Sequence, residues 1–174
     1  ERNPSTAIKF GIGLIFLGLG FCCFAYSGNW ADELAQTPMF YLLFGYFIYT
    51  VGEMFISPIG LSKITELSPI KYASFMMGVW FMSSSYGHFF AGKIAQITSA
   101  GQKEMMWFQQ GWADQVVEWI TGLSYQASQQ MELPFQQLYA YTSTYAVVGL
   151  LSISVGILAL MISPVIKKMM HGVG

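Results

Sequence analysis

The stretch MFYLLFGYFIYTVGEMFISPIGLS, residues 39–62, holds one charged side chain, Glu53, in an otherwise apolar or weakly polar run. About 20 predominantly apolar residues are enough for a helix to cross a bilayer. An ionised carboxylate is costly in hydrocarbon, so an acidic residue at such a position normally faces the interior of a helix bundle or a water-filled cavity. The stretch therefore predicts a membrane-spanning helix that turns Glu53 away from lipid.

The composition of the whole chain also predicts a membrane protein. Of its 174 residues 54% are hydrophobic and 10% are charged, and the net charge is −1. Soluble domains carry about 25% charged residues, so this chain lacks the polar coat that water requires. The balanced charge offers no basic surface for nucleic acid. Cys22 and Cys23 are adjacent within an apolar run, which favours a packing role over a disulfide or a metal pair.

Four apolar stretches are long enough to cross a bilayer, and they predict an all-α integral membrane fold. The predicted spans are residues 7–27, 39–62, 72–98 and 139–166. Between the last two, residues 103–125 repeat their apolar side chains at helical spacing. This pattern predicts one or two amphipathic helices at the outer interface. We interpret the segment as an interfacial cap, with a lid over a substrate path as the alternative.

The positions of lysine and arginine orient these spans. Basic residues precede the first span, flank the connector between the second and the third, and follow the last: Arg2, Lys9, Lys63, Lys71, Lys167 and Lys168. Both ends of the chain and the connector 63–71 are therefore predicted to be cytoplasmic, in a multi-pass protein of the plasma (inner) membrane. The chain begins at Glu1 without an initiator methionine, which predicts a piece of a longer protein.

Polar side chains of the second and third spans are predicted to meet. At about 1.5 Å rise per residue, Glu53 and Trp80 each stand on the order of 14 Å from the cytoplasmic end of their span. Ser57 and Ser84 follow one turn later on the same helix faces. We therefore expect a carboxylate, an indole and two hydroxyls around one cavity near mid-membrane, since each would be costly against lipid.

These residues also have simpler interpretations. Glu53 is alternatively a structural carboxylate that pairs with Lys9 or with a lysine outside this chain. Trp80 is alternatively an interhelical packing residue. Pro58 removes a backbone donor and loosens its helix, and together with Gly60 it forms a candidate gate hinge.

No sequence pattern predicts an enzyme, a cofactor or a metal site. The two histidines, His88 and His171, are expected near opposite membrane faces, and no glycine-rich phosphate loop occurs. The strongest catalytic alternative is Ser84 with His88 one turn later, and it lacks an oxyanion arrangement. His88 is interpreted as a packing histidine, with a proton relay as the alternative.

Short motifs on the second and third spans carry a family resemblance. They are Gly-Glu, Ser-Pro-Ile-Gly-Leu-Ser, Leu-Ser-Pro and Met-Met-Gly-Val-Trp-Phe-Met-Ser, at residues 52–53, 57–62, 67–69 and 76–83. With these motifs the chain resembles the proton-dependent oligopeptide transporters of the major facilitator superfamily, and its opening NPSTAIKFGIGL is similar to their ninth helix. The resemblance implies helices nine to twelve, four helices of the C-terminal six-helix bundle.

The resemblance also implies a proton-coupled symporter that imports di- and tripeptides. Glu53 matches the glutamate that binds the peptide amino group and is a candidate for protonation. Trp80 matches a pocket tryptophan, and Ser57 falls where a pocket hydroxyl is expected. Desolvation disfavours an ionised carboxyl group and an ammonium ion favours it, so one side chain can couple peptide binding to proton release. The implied partners are peptides, protons, lipid and the missing N-terminal half of the transporter.

Two other functions remain open from the sequence. The first is a relative that carries another solute, such as nitrate or a modified amino acid, on the same scaffold. The second is a membrane assembly subunit without a substrate, in which Glu53 is only an interhelical tether. In that case the change Glu53→Gln should damage folding while sparing uptake.

Overall fold

The computed structural model describes residues 6–99 and 112–169, and every regular element within these ranges is helical. Two single-turn 3-10 helices, Ser27–Trp30 and Ile70–Tyr72, join longer elements. The α-helices are α1 Thr6–Tyr26, α2 Met39–Leu67, α3 Ala73–Ser99, α4 Trp112–Thr121, α5 Tyr125–Gln130 and α6 Leu133–Met169.

Three helical segments are long and apolar enough to cross a membrane: Thr6–Trp30, Met39–Leu67 and Leu133–Pro164. The third predicted span also forms a helix, α3, of 27 residues. Its serines, glycines and Lys93 lower its hydropathy, and it is not among these three. The chain is thus an all-helical integral membrane protein in the part that the structure describes, and three of the four predicted spans meet this criterion.

Glycine pairs hold α1 against α2 at backbone distance. A Cβ built on Gly52 would lie 2.7 Å from the carbonyl oxygen of Gly13, and one built on Gly20 would lie 3.0 Å from that of Gly45. In each helix the two glycines are seven residues apart, nearly two full turns, so they share one face. Small residues let membrane helices approach closely enough for van der Waals packing to hold them together.

A second set of glycines holds α1 against α6. A Cβ on Gly156 would lie 2.9 Å from the carbonyl oxygen of Gly11, and one on Gly18 would lie 2.6 Å from that of Gly149. The spacing is again seven residues. Because the two sets lie on different faces of α1, this helix packs between α2 and α6 and forms the centre of a three-helix unit.

The short helix α4 covers one end of this unit. Val117 and Ile120 are buried, at 3% and 9% exposure, and pack with Ala25 and Ala146. The side-chain amide of Asn29 donates a hydrogen bond of 3.0 Å to the carbonyl of Ile120. These contacts hold the described part of the predicted amphipathic segment against α1 and α6, and residues 103–111 of that segment lie outside the described residues.

Helix α3 is attached much more sparsely than the other long helices. It touches α2 and α6 at few points, and all residues from 81 to 96 are exposed. A Cβ added at Gly78, Gly87 or Gly92 would meet nothing within 4 Å. In this chain α3 therefore contacts the three-helix unit at a few points and is not packed into it.

Candidate functional site

Glu53 is the central residue of α2, fourteen residues from Met39 and fourteen from Leu67. At about 1.5 Å rise per residue, it stands roughly 21 Å from either end of the helix. Its side chain is exposed. The carboxylate therefore lies at the depth where a membrane-spanning helix tolerates charge least.

Several residues lie on the same face of α2 as Glu53. With 3.6 residues per turn, positions four and seven residues away lie within about 40° of Glu53 around the helix axis. We call these residues the Glu53 stripe: Tyr46, Tyr49, Glu53, Ser57 and Gly60. Gly52, which packs on α1, is the neighbour of Glu53, so the stripe runs along the edge of the α1–α2 contact.

Glu53 has no hydrogen bond or ion pair to any residue in the two described ranges. The ion pair recorded there joins Lys63 Nζ to Glu66 Oε2 at 2.7 Å, on the surface of the same helix. The pairing of Glu53 with Lys9, considered above as an alternative, is not formed. The central carboxylate is thus open to a partner that the described chain does not supply.

Sequence reasoning missed the two tyrosines of the stripe. The ring centroid of Tyr49 lies 5.6 Å from that of Phe21 and 6.2 Å from that of Tyr46. Tyr49 is half-buried and lies one turn before Glu53 on the same face of α2. Their spacing of four and seven residues before Glu53 is the signal that would have found them.

Trp80 contacts the stripe at Gly60. A Cβ on Gly60 would lie 2.9 Å from Cζ2 of Trp80, and closer still to its Cη2, and 3.2 Å from Cζ of Phe10. The tip of the indole therefore rests on the backbone of α2, where only a glycine leaves room, and three helices meet at this point. Trp80 is half-buried there.

The depth of this contact differs from the sequence expectation. Gly60 follows Glu53 by seven residues, so the indole tip lies about 10 Å along the helix from Glu53 and not at the same level. The reason is that α2 continues to Leu67, five residues beyond the predicted end at residue 62. The chain then turns at Ser68 and Pro69, and α3 begins at Ala73. Because Trp80 follows soon after this start, it lies closer to the turn than Glu53 does.

The two serines are exposed, and neither hydroxyl has a hydrogen bond among the residues described. Ser57 lies on the stripe, one turn after Glu53, and Ser84 lies one turn after Trp80 on α3. Ser83 differs, because its hydroxyl donates a 2.8 Å hydrogen bond to the carbonyl of Trp80. The hydroxyls of Ser57 and Ser84 are thus available to a ligand.

Pro58 lies inside α2, where its ring nitrogen cannot donate to the carbonyl of Met54 one turn earlier. His88 is exposed on α3 within the described chain, and its packing role stays a prediction. No group of histidine, cysteine, aspartate and glutamate within the described residues could hold a metal ion. Cys22 and Cys23 are free thiols.

Two cavities lie near the ends of α3, and Glu53 lines neither. One, of about 420 Å³, lies where α2 turns into α3. The other, of about 210 Å³, lies between α1, α3 and α6 beside Phe21 and Tyr145. Within the Glu53 stripe, Tyr46, Glu53 and Ser57 are exposed in this chain.

Comparison with known proteins identifies the family. The family model PTR2, described as the POT family, matches residues 1–113. The chain is 27% identical to dipeptide and tripeptide permease B of Aeromonas hydrophila, over 98% of the chain and 29% of the relative. It is 27% identical to the uncharacterized transporter YclF of Bacillus subtilis, over 99% of the chain and 27% of the relative. It is also 34% identical to a di-/tripeptide transporter of Lactococcus lactis, over 49% of the chain and 17% of the relative.

The chain spans less than a third of the length of these relatives. The matched residues 1–113 make up more than half of the chain and contain α1, α2 and α3, with Glu53 and Trp80. The chain therefore belongs to the POT family.

Proposed function

We propose that the chain forms part of a proton-coupled symporter that imports di- and tripeptides. Family membership and the names of two relatives, a dipeptide and tripeptide permease and a di-/tripeptide transporter, support this substrate class. The transporter lies in the inner (plasma) membrane, with both ends of this chain cytoplasmic, as the positions of lysine and arginine indicate. It is completed by an N-terminal half, and the chain contributes helices nine to twelve of a major facilitator fold.

The unpaired carboxylate of Glu53 at the midpoint of α2 carries this proposal. An acidic residue at the centre of a spanning helix costs about 2.5–3.5 kcal/mol on insertion scales. Among residues 6–99 and 112–169 nothing offsets that cost by an ion pair with Glu53. The amino group of a peptide, or a proton, is a partner of the right charge.

Residues of the Glu53 stripe and of α3 have different roles in this proposal. Glu53 binds the peptide amino group and carries the proton when the site is empty, because an ammonium ion favours the ionised carboxylate and desolvation disfavours it. Trp80 forms an apolar wall for peptide side chains, and Ser57 and Ser84 offer hydroxyls to the peptide backbone. Binding and protonation at one carboxylate are then linked, which is the coupling that a symporter requires.

Pro58 and Gly60 form a hinge below the carboxylate in this proposal. Pro58 leaves one backbone hydrogen bond of α2 unmade, and Gly60 is the point where Trp80 of α3 rests on α2. Bending at this point moves α3 relative to the Glu53 stripe. A conformational change at the hinge therefore moves Trp80 relative to Glu53.

Uptake of a labelled dipeptide into proteoliposomes that contain the full-length transporter tests the proposal. The wild type should accumulate the dipeptide when a proton gradient is imposed, and should take up an N-acetylated dipeptide far more slowly. Glu53→Gln should insert correctly and lose gradient-driven accumulation. Glu66→Gln is the matched control, because Glu66 lies on the same helix and pairs with Lys63 at the surface.

Three outcomes would contradict the proposal. Absence of dipeptide uptake by the wild type would indicate another solute. A smaller amount of folded Glu53→Gln protein, with unchanged uptake per folded molecule, would indicate a structural tether. Normal gradient-driven accumulation by Glu53→Gln would remove this carboxylate from the coupling.

A further inference from the structure

The cavity at the turn between α2 and α3 is lined almost entirely by hydrocarbon. Its volume is about 420 Å³, and its lining includes Leu67, Pro69, Tyr72, Phe75 and Met76. Ser68 also lines it, but its hydroxyl already donates to the carbonyl of Ile64. The cavity therefore suits an apolar chain and offers little to a polar solute.

Apolar side chains around the cavity remain exposed. Ile70 is 99% exposed, Phe75 69% and Leu67 63%. They lie at the common end of α2 and α3, where the membrane-spanning helix α2 reaches the bilayer surface. This end lies roughly 21 Å from the midpoint of α2, at the level of the lipid headgroups, where the first part of an acyl chain is the apolar group next to the cavity.

A cation stands at the rim of the same cavity. The ammonium of Lys71 lies 5.5 Å from the ring centroid of Tyr72, which lines the cavity. Lys71 is exposed and has no ion pair to residues 6–99 or 112–169, whereas Lys63 is occupied by Glu66 at 2.7 Å. The charged groups at this end of the helices, Lys63, Glu66 and Lys71, thus leave one positive charge beside an apolar cavity.

We propose that the cavity at the turn between α2 and α3, together with Lys71, binds one anionic phospholipid, with an acyl chain in the cavity and the phosphate at Lys71. Basic residues at the membrane surface attract anionic headgroups, and pockets between spanning helices bind them specifically. The apolar lining explains why a lipid, and not a free phosphate, is the ligand. The site is separate from the Glu53 stripe, since Glu53 lines no part of it.

Lipid retention by the full-length transporter tests the site without any measurement of transport. The purified protein in neutral detergent is titrated with phosphatidylglycerol or with phosphatidylcholine of the same acyl chains, and bound lipid is counted by native mass spectrometry. Phosphatidylglycerol should bind more tightly than phosphatidylcholine. Lys71→Gln should weaken phosphatidylglycerol binding about fivefold, as expected for one lysine at an anionic lipid surface, and leave phosphatidylcholine unchanged.

Lys93→Gln is the matched control. Lys93 is also exposed on α3, and its ammonium lies 5.9 Å from the ring centroid of Phe89, but it is far from the cavity in sequence and lines no part of it. This variant should bind phosphatidylglycerol as the wild type does. Equal binding of the two lipids, equal effects of the two lysine variants, or displacement of the lipid by soluble glycerol phosphate alone would each overturn the proposal.

Discussion

Replacing Gly52 by alanine is the most direct test of the α1–α2 packing. The added Cβ would lie 2.7 Å from the carbonyl oxygen of Gly13 and 2.7 Å from the backbone nitrogen of Leu17. Both are backbone atoms of α1, so no side-chain rotation relieves the contact. Ordinary contact begins at 3.4 Å, so the helices must separate locally by about 0.7 Å.

Such overpacking typically costs about 1–3 kcal/mol. A chain of 150–250 residues loses about 2–4 °C of Tm per kcal/mol, and a longer one loses less, so the Tm of the purified full-length transporter should fall by up to roughly 12 °C. The two half-buried thiols of α1, Cys22 and Cys23, provide the assay. Their reaction with a fluorogenic thiol reagent during heating reports when α1 separates from its neighbours.

Gly92→Ala is the matched control for this experiment. A Cβ at residue 92 meets nothing within 4 Å, and alanine is a better helix former than glycine. The Tm of this variant should therefore stay the same or rise. If Gly52→Ala and Gly92→Ala unfold at the same temperature, the close glycine contact does not hold α1 to α2, and the packing argument is wrong.

Three further changes, the first with a control variant, test other contacts. Ile120→Ala should lower the unfolding free energy by about 2–4 kcal/mol, because a buried side chain is removed. Its control is Trp119→Ala, which should change the unfolding free energy by less than about 0.5 kcal/mol, because Trp119 is 84% exposed. Thermal unfolding measures both. Asn29→Ala removes the amide donor to the Ile120 carbonyl and should cost about 1 kcal/mol, seen as faster hydrogen exchange in α4. Pro58→Ala restores a donor to the Met54 carbonyl and should slow dipeptide uptake without lowering the Tm, whereas unchanged uptake would contradict the hinge.

The contrast between the glycine-packed helices and α3 bears on the proposed mechanism. Helices α1, α2 and α6 are held at backbone distance by glycines, and dense packing of this kind resists continuous deformation. Helix α3 is joined to α2 mainly near its start, where Trp80 rests on Gly60. Trp80 therefore lies on the long helix that is least closely packed within the described chain.

The amino-acid sequence was sufficient for the class of protein and for its family. The length and apolar content of its stretches predict spanning helices, because a bilayer requires every backbone polar group to be satisfied within the helix. The single acid in residues 39–62 and the motifs around it led to the POT family, which the family match confirms. These features are local, so they can be recognised without knowledge of what each helix packs against.

Only the tertiary structure decided which residues meet. Hydropathy placed the end of the second span at residue 62, but α2 continues to Leu67, because a helix ends where its backbone turns and not where its apolar residues stop. That difference moves the tip of Trp80 from the level of Glu53 to Gly60. The partners of the α1 glycines and the packing of Tyr49 against Phe21 likewise depend on contacts between helices that are distant in sequence, and no local pattern specifies them.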